Sequence, residues 1–299
     1  SDVKPARKIK LVIDCGNGVA GATAPQLFEQ LGCEVTTLFG EVDGNFPNHH
    51  PDPSKLANLQ DLIKAVKDQS AELGFAFDGD GDRLGLVTAQ GKVIWPDRQM
   101  ILFARDVLKR NPAAEIIYDV KCSRTLPREI EAAGGKATMW RTGHSFIKAK
   151  LKESGAQLAG EMSGHIFFKE RWYGFDDGCY AGARLIELLS NIDQTPSEIF
   201  DELPDSVNTP ELQIEMQEGE HYTFMNELIQ NASFNHAHVS TMDGIRVDFD
   251  DGFGLIRPSN TTPTLVLRFE ADDADALERI QSRFRALITD TRSDVIPPF

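Results

Sequence analysis

Lys8-Ile-Lys-Leu-Val-Ile13 is an apolar run suited to a buried strand, and a glycine loop, Cys15-Gly-Asn-Gly-Val-Ala-Gly21, follows it. Ala24 to Leu31 reads as a helix, with Gly32 suited to its C′ position, and Glu34 to Phe39 reads as a second strand. This strand–loop–helix–strand unit recurs. Glu115 to Tyr118 is a strand ending in Asp119, Ser123 to Ala133 a helix followed by Gly134 and Gly135, and Lys136 to Trp140 a strand. Asp14 and Asp119 hold the same place in the two copies. A duplicated α/β arrangement is expected, each copy carrying loops at the carboxyl ends of strands, where open α/β sheets bind ligands.

Outward from these units, boundaries are expected near Gly91 to Asp97 and within Thr195 to Pro210, where Pro196, Pro204 and Pro210 cluster. Beyond them the pattern changes. Ile245 to Phe249 and Thr264 to Phe269 look like strands of a half-buried sheet, and Asp275 to Thr289 like a helix. The expected fold is α/β: two duplicated mixed α/β domains, 1–92 and 93–204, followed by a small α+β C-terminal domain, 205–299.

The 299 residues are 41% hydrophobic and 26% charged, the composition of a soluble globular protein. Apolar runs such as Leu11 to Ile13 are far shorter than the roughly 18 residues needed to span a bilayer, so no membrane partner is expected. No signal-peptide pattern opens the chain. It begins at Ser1 rather than Met, so it is expected to be processed or cut from a longer one. A net charge of −15 argues against nucleic acid as a partner, because that affinity rests on a basic face. An anionic small substrate stays possible if a few cations line one cleft. Cys15, Cys33, Cys122 and Cys179 form no CxxC pair, so buried free thiols in a reducing cytoplasm are expected.

Asp78-Gly-Asp-Gly-Asp-Arg83 lies between two apolar strands, Leu73 to Phe77 and Leu84 to Val87. Its glycines let the backbone curl so that Asp78, Asp80 and Asp82 face one point. One carboxylate pair at 4 Å repels by about 4 kcal/mol at an effective dielectric of 20, a cost that a divalent cation removes. All-oxygen ligands favour Mg²⁺, Ca²⁺ or Mn²⁺ over zinc. An EF-hand would need Gly where Arg83 stands and Glu where Ala89 stands.

Arg257-Pro-Ser-Asn-Thr-Thr262 offers a guanidinium, hydroxyls, an amide and backbone N–H groups, the donors that hold a phosphate dianion. Gly160-Glu-Met-Ser-Gly-His165 alternates Glu161, Ser163 and His165, which an extended loop would point the same way, toward sugar hydroxyls. Lys121 follows the second copy's first strand and His144 lies in a loop after its second; either could exchange a proton with a hydroxyl. His49 and His50, in Asn48-His-His-Pro-Asp-Pro53, have no second His/Cys pair and read as a structural loop. Gly16-Asn-Gly-Val-Ala-Gly21, with Glu41 twenty residues on, matches the dinucleotide fingerprint and supports an NAD-dependent dehydrogenase as a rival reading.

Together, Asp78 to Arg83, Gly160 to His165, Arg141-Thr-Gly-His-Ser145, Arg257 to Thr262 and Gly44-Asn-Phe-Pro-Asn-His-His-Pro-Asp-Pro53 resemble the α-D-phosphohexomutase family, in its bacterial phosphomannomutase/phosphoglucomutase branch. The resemblance runs from Lys8 to the C-terminus. It covers the family's second, third and fourth domains. The family's catalytic phosphoserine sits in a Ser-His-Asn-Pro loop of its first domain, and no such tetrapeptide occurs here.

The resemblance implies a cytoplasmic isomerase of carbohydrate metabolism. It would move phosphate between O1 and O6 of mannose and glucose 1- and 6-phosphates, through the phosphoserine and a hexose 1,6-bisphosphate that also serves as activator. Asp78, Asp80 and Asp82 would ligate Mg²⁺, and Arg83 would sit beside the phosphoserine. Glu161 and Ser163 would bind sugar hydroxyls with His165 beside them. Arg257, Ser259, Asn260 and Thr261 would hold the non-reacting phosphate, and Lys121 and His144 match the family's cationic, proton-handling positions. Without the phosphoserine domain the chain alone is expected not to turn over. A non-catalytic phosphosugar-binding protein is the alternative.

Overall fold

The computed structural model describes residues 2–299. The chain forms two compact units. One takes in the chain up to Tyr118 with Leu126–Thr138 and His144–Pro204; the other takes in Asp119–Thr125, Met139–Gly143 and Asp205–Phe299.

In the first unit, β1 (Lys10–Asp14), α1 (Ala24–Gln30), β2 (Glu34–Leu38), α2 (Gln60–Asp68), β3 (Leu73–Phe77), β4 (Leu84–Thr88) and β5 (Val93–Ile94) build a five-stranded sheet in the order β2-β1-β3-β4-β5. β2 and β3 run parallel to β1, and β4 runs antiparallel to β3. Leu11, Val12, Ile13 and every residue of β3 and β4 are buried, the pattern of strands covered on both faces. Pro25 pre-sets the first turn of α1, and Gly32 at φ +90° ends it as its sequence position predicts. α2 lays Leu62 and Val66 over Gly74 of β3; a Cβ there would come within 2.6 Å of the Val66 side chain, so the missing side chain sets how closely the helix approaches.

The pattern repeats. α3 (Pro96–Arg110), β6 (Glu115–Asp119), α4 (Thr125–Ala132), β7 (Lys136–Trp140), α5 (His144–Ser154), β8 (Leu158–Gly160) and β9 (Ile166–Phe168) build a sheet in the order β7-β6-β8-β9. β8 pairs parallel with β6 and antiparallel with β9. This is the duplication read from the sequence. α4 begins two residues later than expected because the Ser123 hydroxyl accepts the Thr125 N–H, a turn that closes before the helix starts. α6 (Gly178–Ser190) lies against β4 and β9, α3 lies against β4 and β8, and α7 (Pro196–Asp201) follows under a Thr195–Glu198 capping box.

The glycine loop after β1 leaves no amide for a pyrophosphate along Gly16–Val19. Gly16 N–H donates to the Asp14 carboxylate, Asn17 N–H to Phe39 O, Gly18 N–H to Cys15 O and Val19 N–H to Gly79 O. The glycines serve close approach instead. A Cβ at Gly18 would stand 2.8 Å from Asp78 O, and one at Gly21 2.1 Å from Gly40 O. That corrects the dinucleotide reading, whose phosphate needs those donors.

The second unit carries an antiparallel sheet. β10 (Val207–Asn208), β11 (Leu212–Glu215), α8 (Glu220–Asn231), β12 (His238–Ser240), β13 (Ile245–Phe249), β14 (Gly252–Pro258), β15 (Thr264–Ala271) and α9 (Ala274–Thr291) give the order β10-β15-β14-β13-β12, with β11 also on β15. α8 and α9 cover one face through Phe224, Leu228, Ile280 and Phe284. The half-buried pattern expected fails for β15, all eight of whose residues are buried, while β10 and β12 at the edges are largely exposed. The strap Asp119–Thr125 engages the other face. Arg246 donates to the carbonyls of Val120 and Cys122, Arg268 to that of Lys121, and Glu270 accepts from Ser123. A charged sheet face can be buried there because the strap's backbone supplies its partners.

Cys15, Cys33 and Cys122 are buried free thiols, whereas Cys179 is partly exposed. Burial pushes Cys15 up to about 12 and Cys33 to about 11, so both stay protonated. Among the described residues no helix is long and apolar enough to cross a membrane.

Gly21→Ala should lower unfolding stability by about 1–3 kcal/mol, because its methyl must displace the Gly40 backbone. A shift of the urea midpoint at constant slope would show it, and an unchanged midpoint would show that the close approach carries no constraint.

Candidate active site

The β3–β4 connection carries Asp78-Gly-Asp-Gly-Asp-Arg83. Asp78 is buried, Asp82 half-buried and Asp80 exposed, and Gly81 takes φ +79° to turn the chain back. One carboxylate oxygen from each aspartate lies within 4.8 Å of the others. Arg83 fixes the loop: its N–H and Nε donate to Asp78 Oδ1 (3.0 Å) and Oδ2 (2.6 Å), and its Nη1 to Asp52 Oδ1 (2.9 Å). Asp82 Oδ1 is buried and faces His165 Nε2 at 3.3 Å. Three carboxylates converging without enough donors, all oxygen in character, fit a hard divalent cation.

The β8–β9 connection is a tight turn and not the extended loop expected. Glu161 N–H donates to His165 O, Gly164 N–H donates to Glu161 O, and Gly164 adopts φ +106°. The three side chains converge all the same. Ser163 Oγ lies 2.8 Å from His165 Nδ1 and Glu161 Oε2 3.3 Å from it, while His165 Nε2 lies 3.3 Å from Asp82 Oδ1. The backbones join as well, through Leu84 N–H to Gly164 O and a bridge between Arg83 and His165. Burial works against protonating His165, but the Asp82 and Glu161 carboxylates outweigh it and push the imidazole up to about 9. At neutral pH it is a cation between two acids.

His144 is the first residue of α5 and not part of a loop, since Gly143 at φ +132° turns the chain directly into the helix. Its side chain is 50% exposed, with Nδ1 3.1 Å from Asp176 Oδ2. Its ring stacks on His165, centroids 5.4 Å apart. Lys148, one turn along, donates to Asp176 Oδ1 at 2.8 Å.

The second unit holds the remaining candidates. Arg257, near the end of β14, is 4% exposed; its Nε donates to Asp243 Oδ2 at 2.9 Å, and its Nη2 is buried with no hydrogen-bond partner. In the β14–β15 turn the Ser259 hydroxyl accepts from the N–H groups of Thr261 and Thr262, and Asn260 donates to Thr142 O. Lys121 is buried 3.1 Å from Glu211; burial disfavours its charge, but Glu211 and Asp119 prevail and raise its pKa. Its ammonium lies in the field of Arg257 as well. The predicted residues therefore fall into two groups. Asp78, Asp80, Asp82, Arg83, His144, Glu161, Ser163 and His165 gather in the first unit; Lys121, Arg257, Ser259, Asn260 and Thr261 belong to the second.

Four acids that hold these residues escaped the sequence reading: Asp52 on Arg83, Asp176 on His144, Asp243 on Arg257 and Glu211 on Lys121. Two had a signal. Asp176-Asp177 precede α6, whose cap needs only one, and Asp177 fills it by accepting the Tyr180 N–H. Asp52 sits in a loop of two histidines and three prolines, Gly44 to Pro53.

Family models described as phosphoglucomutase/phosphomannomutase domains match in succession: alpha/beta/alpha domain II over residues 1–91, alpha/beta/alpha domain III over 95–207 and the C-terminal domain over 211–287. A phosphomannomutase/phosphoglucomutase of Pseudomonas putida is 56% identical over 298 residues, which are 100% of this chain and 64% of that protein. A phosphoglucomutase of Neisseria gonorrhoeae is 61% identical over 288 residues, 96% of this chain and 62% of its own. A crystal structure of a phosphoglucomutase/phosphomannomutase family protein from Burkholderia thailandensis superposes with a TM-score of 0.94 at 56% identity, covering 100% of this chain and 64% of that one. The chain thus spans a little under two thirds of the length of these relatives. With three successive domain models of one family covering it from residue 1 to residue 287, and relatives of that name more than half identical to it, the chain belongs to the phosphoglucomutase/phosphomannomutase family.

Proposed function

We propose that this chain supplies the metal, sugar and phosphate positions of a phosphomannomutase/phosphoglucomutase, an isomerase that moves phosphate between O1 and O6 of mannose and glucose phosphates. The observation that supports the reading most directly is the imidazole of His165, which lies between the acidic loop and the Glu161–Ser163 turn. A cation held at the first would stand beside a hydroxyl held at the second, the juxtaposition that phosphoryl transfer to a sugar oxygen requires. Asp78, Asp80 and Asp82 would hold Mg²⁺, which supplies charge neutralisation for a phosphoryl group. Arg83 would add a guanidinium on the same loop. Glu161 and Ser163 would accept and share sugar hydroxyl protons. His165, protonated at neutral pH, would donate, and His144 would orient beside it through Asp176.

In the second unit, Arg257 with Ser259, Asn260 and Thr261 would take the phosphate that does not react. Its Nη2, buried and unpaired, is where a phosphate oxygen would restore the missing partner. Lys121, held charged by Glu211, would add a positive field without moving a proton. The division into domains 1–92, 93–204 and 205–299 belongs to the same proposal, as do a hexose 1,6-bisphosphate intermediate and a cytoplasmic setting.

Asp80→Asn should weaken Mg²⁺ binding at least tenfold, about 1.4 kcal/mol, in calorimetric titrations. Asp80 is exposed, so the fold should be untouched; undiminished affinity would remove the acidic loop from the assignment.

Arg257→Ala should weaken glucose 1-phosphate binding by at least tenfold, since a hydrogen bond to a charged group is worth roughly 1.5–3 kcal/mol. Arg257→Lys should restore only part of it, because an ammonium cannot reproduce the guanidinium fork. Equal binding by parent and alanine variant would place the phosphate elsewhere.

The 299-residue chain on its own should bind hexose phosphates yet show no interconversion. Ser163, the serine nearest the acidic loop's histidine partner, is engaged by His165 and set for hydroxyl contact. In a coupled assay with Mg²⁺ and hexose 1,6-bisphosphate, turnover at about 1–10³ s⁻¹ would mean that a phosphoryl donor lies within these residues.

A further inference from the structure

We propose a second cation site in the first unit, made by Asp82, His144, His165 and Asp176 and selective for a borderline transition metal such as Zn²⁺. Each of the four offers one ligand atom, and the four atoms lie within 4.8 Å of one another. Two nitrogen and two carboxylate donors suit zinc or copper, whereas Mg²⁺ prefers oxygen alone. Bonds of about 2.0–2.2 Å in a tetrahedron set neighbouring donors roughly 3.3 Å apart. The two pairs are already at that spacing: His144 Nδ1 to Asp176 Oδ2 is 3.1 Å, and His165 Nε2 to Asp82 Oδ1 is 3.3 Å. The stacked imidazoles bring the pairs together, so a tetrahedral ion needs only a modest closure between them.

Two further observations point to a ligand. Asp82 Oδ1 is a buried oxygen facing only His165 Nε2, at 3.3 Å, so an ion between the two would take the place of a single shared proton. His165 is also braced as metal-binding histidines are. Its Nδ1 faces Glu161 Oε2 at 3.3 Å and Ser163 Oγ at 2.8 Å, so the ring is held with Nε2 toward Asp82, and a metal binding there would displace the Nε2 proton. Lys148 holds the other oxygen of Asp176, Oδ1, at 2.8 Å and so orients the carboxylate; its Nζ also lies 3.4 Å from His144 Nδ1, a contact that a bound ion would replace. The donors come from four separate places, the β3–β4 loop, the start of α5, the β8–β9 turn and the residue before the cap of α6. A soft ion there would tie up both histidines and draw Asp82 from the acidic set. On the functional reading above, it would therefore act as an inhibitor.

Asp80 belongs only to the acidic set and His144 only to the mixed one, which makes the two sites separable. Zn²⁺ and Mg²⁺ are each titrated calorimetrically into the 299-residue chain and into H144Q, H165Q and D80N. Cu²⁺ serves as the paramagnetic probe of nitrogen ligation. Zn²⁺ affinity should fall at least tenfold in H144Q and in H165Q, with Mg²⁺ affinity in H144Q held within about twofold. D80N should leave Zn²⁺ within about twofold, and the Cu²⁺ spectrum should show two nitrogens that drop to one in H144Q. Zinc binding insensitive to H144Q, or lost with D80N, would overturn the proposal by placing zinc in the acidic loop or on other histidines. D80N that spared both ions would count against the acidic loop's Mg²⁺ role alone. Since His144 is half exposed, H144Q should fold, and its retained Mg²⁺ binding verifies that in the same experiment.

Discussion

Three segments close around residues 78–83, two of them with no side chain between the backbones, and the first unit is organised around that approach. The glycine loop comes from below, where a Cβ on Gly18 would stand 2.8 Å from Asp78 O. The start of α6 comes from another side, where a Cβ on Gly178 would stand 2.8 Å from Arg83 O. The β8–β9 turn comes from a third, with Gly164 in the left-handed region beside Arg83 and Leu84. At Gly18 and Gly178 the contact is with main-chain oxygen and only glycine permits it, whereas at Gly164 the neighbours include the Arg83 side chain and it is the positive φ that calls for glycine. Together they fix the loop by shape, so the placement of its carboxylates does not depend on attractions among them, which are repulsive. Arg83 completes the arrangement by neutralising Asp78 and Asp52 at once.

The strands and helices were legible because their periodicities are local, and the acidic and phosphate loops because their composition is unusual over six residues. What could not be read was convergence. Glu161, Ser163 and His165 alternate, and alternation suggested an extended loop; a left-handed glycine instead folds the segment back and reaches the same meeting of side chains by another path. Acids that brace the functional side chains lie far from them in sequence, as Asp52 does from Arg83 and Glu211 from Lys121, and no local pattern links them. Gly16–Gly21 shows the opposite failure. Its pattern was right and its donors were already spent on Asp14, Phe39, Cys15 and Gly79. A fingerprint of glycines reports tight packing, and whether amides remain for a ligand is a tertiary matter.

The second unit manages charge differently. Arg246, Arg268 and Glu270 line a buried sheet face, and their partners are largely main-chain carbonyls and a hydroxyl from the strap Asp119–Thr125. Such a face tolerates substitution poorly, because removing either side strands a desolvated group. Periodicity could not reveal it. Polar residues at every second position of a strand ordinarily signal water, and here they signal another stretch of chain.

The two sheets repeat one connectivity, β2-β1-β3-β4 in the first and β7-β6-β8-β9 in the second. The acidic loop joins the third and fourth strands of its copy, and the Glu161–His165 turn joins the third and fourth strands of the other. The two segments are thus one hairpin tip in two editions, and they touch at Arg83 and His165. Neither repeat contains the pairing by itself; it exists only where the tips of both meet. The tips have diverged in length as well as in chemistry, six residues from Asp78 to Arg83 against five from Glu161 to His165, one turned toward carboxylates and the other toward hydroxyl and imidazole, so the meeting of the two does not rest on equal turns.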